Sequence, residues 1–233
     1  MRDPPLTSSG EPRQLHFLHI GKTGGTAIRH ALRPFSDGPA ARITLHQHHT
    51  TLAEIPPGDR VMFTLRDPAA RFVSGFNSRL RQGRPRFDIP WRPEEAEAFR
   101  AFPTANDLAN ALSSRDIGQK TQAMAAMRSI RHVQRRYGYW LKDLGYLRTR
   151  WACIDWIGRT ETLTRDFAVL KTMLCLPPDC ELPSELVLAH KREDTDHVHL
   201  DETGQRNIRA WYAADYLLLR HCCPFIGRDL QKA

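Results

Sequence analysis

Apolar residues follow two rhythms along this chain. Short runs of strand length occur at Leu15, Phe17, Leu18 and Ile20, at Val61–Leu65, and across Trp151–Arg159. Longer stretches repeat apolar residues every three or four positions, as helices do. These cover 27–32, the segment after Pro68, 93–102, 105–112, 118–137 with Met124, Met127, Ile130 and Val133, and 164–174 with Phe167, Leu170 and Leu174. A final amphipathic helix over Thr203–Cys222 carries Ile208, Trp211, Tyr212, Tyr216 and Leu219. Pro93 followed by three glutamates, and Thr104-Ala105-Asn106-Asp107, are helix starts. Strand–helix units at 15–32 and 61–81 predict an α/β fold, in which a central, mainly parallel sheet is flanked by helices as a three-layer, P-loop-like arrangement. Residues 1–13 are polar and proline-rich and are expected to form a flexible tail, with 14–233 as a single domain.

The two strand–helix junctions carry the chemistry. The first passes from an apolar run into Gly21-Lys22-Thr23-Gly24-Gly25-Thr26 and then into a helix beginning near Ala27. Glycines let a backbone approach an anion, and the first amides of a helix lack internal partners. The helix dipole favours negative charge there, and Lys22 adds a full positive charge. The nucleotide-triphosphate loop G-x-x-x-x-G-K-[ST] is absent, because Lys22 precedes the glycine pair; the dinucleotide fingerprint G-x-G-x-x-G is absent too. At the second junction Val61–Leu65 ends in Arg66-Asp67-Pro68, where Asp67 suits an N-cap and Pro68 the first helical position. Arg71 and Ser74 stand at i, i+3 on the helix that follows. Either junction alone also suits a plain turn or cap; both together, with Lys22, point to a phosphorylated ligand.

The two motifs, H-I-x-K-T-G-G-T and R-D-P-x-x-R-F-x-S, resemble those of the sulfotransferases that use 3′-phosphoadenosine-5′-phosphosulfate (PAPS). The resemblance is to the carbohydrate branch typified by heparan sulfate 2-O-sulfotransferases and their bacterial relatives, and the motifs with the segment between them span about a quarter of the chain. It implies that Lys22, Thr23, Gly24, Gly25 and Thr26 bind the 5′-phosphosulfate, and that Arg66 and Ser74 bind the 3′-phosphate. Gly21 stands where members of the family commonly have proline, which keeps the turn but stiffens it less. Gly158-Arg159-Thr160-Glu161 ahead of a helix is a weaker likeness. The resemblance also makes Lys191 and Arg192 contacts of a late basic loop with the nucleotide, and Gln119 and Gln122 contacts with the acceptor.

Between the junctions lies Leu45-His46-Gln47-His48-His49-Thr50. Sulfuryl transfer to an alcohol needs a base, and histidine suits that task near neutral pH. In an extended segment His46 and His48 point the same way and His49 the other. By the resemblance His48 is the base, with His46 its orienting partner or the alternative. A zinc site lacks a nearby acidic or cysteine partner at ligand spacing, so no metal is expected. Lys22 and the helix amides would stabilise charge on the leaving oxygen, which assigns Lys22 a catalytic part. The product would be 3′,5′-bisphosphoadenosine (PAP).

Composition narrows the partners. The 233 residues are 41% hydrophobic and 26% charged, with a formal charge of +8. Arginines cluster at 79, 81, 84 and 86 and again at 128, 131, 135 and 136, a distribution that suits a polyanion. Arg79 and Arg81 are accordingly candidates for binding an acidic glycan acceptor. No recognised nucleic-acid module is present. No run approaches the roughly 18–20 apolar residues of a membrane span, and the N-terminus lacks the apolar core of a secretion signal. Five cysteines without metal spacing favour reduced thiols, so a cytoplasmic enzyme is expected. Two other classes compete: a nucleotide or sugar kinase with a degenerate loop, and a non-catalytic polyanion-binding protein.

Overall fold

The structure is a computed structural model and describes residues 13–38, 41–85, 87–184 and 200–228. The chain divides into two compact units. The first comprises residues 1–66, 137–191 and 217–233; the second comprises 67–136 and 192–216.

The first unit is built on four parallel strands: β1 (Arg13–Leu18), β2 (Ala41–Leu45), β3 (Arg60–Leu65) and β4 (Ile154–Arg159). Their spatial order is β2-β1-β3-β4. β1 pairs with β2 through Leu15↔Ile43 and Phe17↔Leu45, and with β3 through Leu15↔Arg60 and Leu18↔Phe63. Strands that are buried on both faces read as continuous apolar runs, as β3 does. On one face Leu15, Phe17, Met62 and Trp156 pack against Ala27, Ile28 and Leu32 of α1 (Gly25–Leu32) and against Phe167 and Leu170 of α8 (Leu163–Met173). On the other, Leu18, Val61, Phe63 and Ile157 meet Trp140 and Leu141 of α6 (Gly138–Leu141), Leu147 of α7 (Leu144–Thr149), and Leu218 and Leu219. The predicted α/β class with helices on both faces of a parallel sheet is therefore what the first unit shows. From β1 the chain steps to one side, to β2, and then crosses back to β3 on the other. The β1/β3 boundary is thus a topological switch point, where open α/β sheets leave a crevice at the strands' carboxyl ends.

The second unit is helical: α2 (Pro68–Leu80), α3 (Pro93–Ala101), α4 (Ala105–Ala111), α5 (Ile117–Ser129) and the helix Glu202–Trp211. Phe72, Phe76, Phe99, Leu108, Met127 and Ile208 form its core. Two predicted helices are shorter than their spacing implies. The one over 118–137 ends at Ser129, because Ile130 turns extended (ψ 117); Ile130 and Val133 still enter the same core, which kept the periodicity intact. The one over 203–222 is two helices, Glu202–Trp211 and Ala213–Cys222, broken at Tyr212 (φ −101, ψ 27). The Tyr212 hydroxyl donates to Val133 O at 2.8 Å, a buried anchor that fixes the break. The predicted strand at 151–159 begins only at Ile154, after a 3-10 turn over Trp151–Cys153.

Candidate functional site

Three strand–helix corners meet at the carboxyl edge of the first unit's sheet. After β1 the chain runs through buried His19 and Ile20 into Gly21 and Lys22. Lys22 has φ 66, in the left-handed region, and Gly24 follows at φ 81 as the residue before α1. Two left-handed residues in three steps turn the backbone sharply into the start of α1. That geometry costs a non-glycine residue of order 1 kcal/mol, which is why lysine there is unusual. Gly25 is glycine for a different reason. A Cβ there would lie 2.4 Å from His19 Cδ2 and 2.9 Å from its Nε2, so the imidazole occupies the space a side chain would need.

The first and second corners are joined directly. Thr23 and Thr64 are both fully buried, and their hydroxyls lie 2.9 Å apart. Thr23 donates to Ile20 O at 2.8 Å, so its oxygen is left to accept from Thr64. Thr64 is the penultimate residue of β3, and Arg66 comes just after the strand. The Tyr137 hydroxyl accepts from Arg66 N–H at 2.9 Å and donates to Arg66 O at 2.5 Å. Thr160, after β4, donates to Leu65 O at 3.2 Å and brings the third corner alongside.

The histidine segment follows β2 directly. His46 N–H donates to Phe17 O at 3.1 Å, which seats the loop on β1. Trp140 Nε1 donates to His48 O at 2.8 Å. The exposed His48 ring lies 3.7 Å, centroid to centroid, from the His19 ring, and its Nδ1 is 3.3 Å from His19 O. A carbonyl can only accept, so Nδ1 carries the proton and Nε2 is the basic nitrogen of His48. His48 also stands over the glycine turn, its Nδ1 being 3.9 Å from where a Gly21 Cβ would sit. His46 turns elsewhere: its Nε2 is 2.8 Å from His16 Nδ1, and His16 Nε2 is 3.0 Å from Asp59 Oδ2. His46 therefore does not orient His48 by direct contact of the rings; His46 is held by His16 of β1 and His48 by His19 of the first corner.

Electrostatics keep the corner's imidazole neutral. Burial, then His48, then Arg29 push His19 down to about 2. Arg29 Nη1 is 3.4 Å from His19 Nδ1 and 3.3 Å from Gln47 Oε1, and a guanidinium only donates. His19 thus accepts at Nδ1 and carries its proton on Nε2, facing Gly25 at the head of α1.

The candidates divide between the units. Lys22, Thr23, Gly24, Gly25, Thr26, His46, His48 and Arg66 come together at the first unit's sheet edge. Ser74, Arg79, Arg81, Gln119 and Gln122 belong to the second unit. The Thr23 side chain is buried and its hydroxyl is engaged by Ile20 and Thr64. One expectation needs correction. Arg79 is not a surface cation for an acceptor. It is 2% exposed and pairs two-pronged with fully buried Glu95, Nε to Oε1 at 2.8 Å and Nη2 to Oε2 at 2.7 Å. Its remaining donors reach Ile89 O and Pro90 O, both at 3.2 Å. Ser74 is buried two turns into α2, whose start Asp67 caps by accepting from Ala69 N–H and Ala70 N–H, as predicted. Arg81 is exposed and, with Gln82, Arg84 and Trp91, lines an open groove of about 510 Å³. Gln119 and Gln122 are exposed on α5. Arg128 and Arg136 lie over the Trp211 ring at 5.9 and 5.0 Å, so part of that basic cluster is structural. Lys191, Arg192 and Arg86 lie outside the described residues.

Sequence alone assigns no role to His16, Arg29, Asp59, Thr64 or Tyr137, nor to His19, although His19 opens the first motif. A histidine within a buried parallel strand is a signal that could have flagged His16. Tyr137 carries no local signal, since its partner is 71 positions away. Among the described residues no three His, Cys, Asp or Glu side chains are arranged to hold a metal ion, and no helix is long and apolar enough to cross a membrane. Comparison with family models, curated proteins and solved structures returns no match to this chain.

Proposed function

We propose that the chain is a sulfotransferase that moves a sulfuryl group from PAPS to a hydroxyl of a carbohydrate acceptor. One observation supports this reading above the others. Two basic strand–helix corners, near Lys22 and Arg66, are tied to each other through Thr23 and Thr64 at the sheet's switch point, and a histidine with a committed tautomer stands over the first. In this reading the fold is P-loop-like in use: backbone amides at the head of α1 cradle the 5′ phosphosulfate, and Arg66 serves the 3′-phosphate.

His48 Nε2 takes the proton of the acceptor hydroxyl as that oxygen bonds to sulfur. The bond between sulfur and the phosphate oxygen breaks, and its electron pair stays on PAP. Lys22 and the α1 amides stabilise the negative charge that grows on that oxygen. His19, held neutral, adds no charge beside His48 and offers a fixed N–H at Gly25.

Calorimetry with PAP, with and without magnesium, tests the binding half. PAP binds without the metal in this reading and ATP binds poorly; tight ATP binding that needs magnesium would favour a kinase, and binding of long polyanions alone a non-catalytic role. Transfer of labelled sulfate from PAPS to a glycan panel tests the chemistry. Lys22→Ala abolishes turnover. His48→Ala abolishes turnover while PAP affinity stays within about twofold; wild-type turnover in His48→Ala refutes the base assignment.

A further inference from the structure

Under the crossover from β2 to β3, three side chains form a line that the reaction just described does not use. Asp59 Oδ2 is 3.0 Å from His16 Nε2, and His16 Nδ1 is 2.8 Å from His46 Nε2. The two imidazoles lie nearly parallel, 15° apart, with centroids 5.1 Å from each other. A carboxylate only accepts, so His16 donates from Nε2 and accepts at Nδ1. His46 must then donate from Nε2, and its Nδ1 carries the lone pair.

We propose that His16 and Asp59 are positioning residues: they hold His46 as its Nε2–H tautomer, with Nδ1 as a proton acceptor, and so anchor the loop that carries His48. The line is built for one proton. A proton taken up at His46 Nδ1 leaves both hydrogen bonds in place, with Asp59 balancing the charge through His16. A second proton, on His16 Nδ1, would set two donors face to face and break the link. Other charged groups act on His46: Glu54, Arg29 from α1, and His49. Burial, then His16, holds His46 below the ordinary histidine value; Glu54 opposes them, and Arg29 and His49 add to the lowering. The link matters beyond its own atoms because His46 is two residues from His48. Its backbone is tied to Phe17 and its ring to His16, so both bonds of this residue fix the loop on β1.

The role in turnover rests on the sulfotransferase reading, but the tautomers do not. Long-range proton–nitrogen correlation spectra of the full chain, ¹⁵N-labelled and titrated from pH 5 to 9, read them directly. The Nε2–H form is expected for both His16 and His46 at the upper end. Asp59→Asn, which keeps the shape and removes the charge, lowers the His46 midpoint by about 0.5–1 pH unit. Nδ1–H on either ring of the unmodified chain, or an unmoved midpoint in the variant, overturns the proposal. In the transfer assay Asp59→Asn lowers kcat about tenfold with KM for PAPS unchanged, and Asp59→Glu restores part of it. A rise in KM with unchanged kcat overturns the positioning role. Absence of transfer in the unmodified chain, with the tautomers as stated, refutes the sulfotransferase reading and upholds the His46 assignment.

Discussion

Replacing Arg79 with methionine separates a structural arginine from an acceptor-binding one. The variant keeps an unbranched, roughly isosteric stem but removes the guanidinium. Glu95, fully buried, then loses two charge-assisted bonds and keeps only the Arg92 N–H at 3.1 Å and the Arg131 N–H at 3.0 Å. The carbonyls of Ile89 and Pro90 lose their donor as well. Each bond to a charged group contributes about 1.5–3 kcal/mol, and breaking a buried pair from one side costs about 3–5 kcal/mol. We expect a loss of about 3–5 kcal/mol in urea unfolding, with hydrogen exchange accelerated in peptides covering α2 and α3. The pH dependence carries a sign as a second check. Burial pushes Glu95 up, but Arg79, Arg131 and Arg92 outweigh it and hold the carboxyl at about 2 instead of 4.5. A depressed carboxylate stabilises fully above its ordinary value, and that contribution is lost as pH falls from about 4.5 to 2. In Arg79→Met burial acts without its main opponent, so Glu95 moves up and the variant's deficit shrinks on acidification. A variant within 1 kcal/mol of the parent at pH 7, or a deficit that grows towards pH 4, would refute this account of Arg79.

Two substitutions probe the corners. Gly25→Ala drives a Cβ into the buried His19 ring and should destabilise by about 1–3 kcal/mol, whereas Gly58→Ala, with nothing within 4 Å of its Cβ, should change thermal stability by less than 1 kcal/mol; equal melting temperatures would mean the His19 ring yields freely. Tyr137→Phe removes the hydroxyl that bonds both the N–H and the O of Arg66 and should cost about 1–3 kcal/mol, with faster exchange at the Arg66 amide; an unchanged exchange rate would show that the hydroxyl is dispensable there.

The corners were legible because their determinants are local. Glycines, the Asp67 cap and Pro68 act within four residues, and the apolar run of β3 announces a strand buried on both faces. What the sequence hid was pairing at a distance. Arg79 and Glu95 are 16 positions apart on two helices, and in sequence an arginine among arginines reads as a surface cation. His16 and Asp59 are 43 apart and meet only because the crossover returns across β1. The His46–Thr50 segment was recognisable by composition, but alternation along an extended strand misplaced its side chains. His46 and His48 were expected to act as a pair, and they are instead held apart by His16 and His19. Helix ends failed for a related reason: Ile130 and Tyr212 keep the apolar rhythm while leaving helical geometry, since burial constrains a side chain's position and not its backbone angles.

Arg66 is the last residue before the chain departs from the first unit, and Tyr137 is the first on its return. A single phenolic oxygen clasps that point of exit to the point of re-entry, 71 positions apart. For a flexible surface loop, doubling the length adds only about 0.6 kcal/mol of closure entropy. Added sequence in an exposed turn of the stretch from 67 to 136, outside its packed helices, therefore leaves the clasp and the strand end it holds in place.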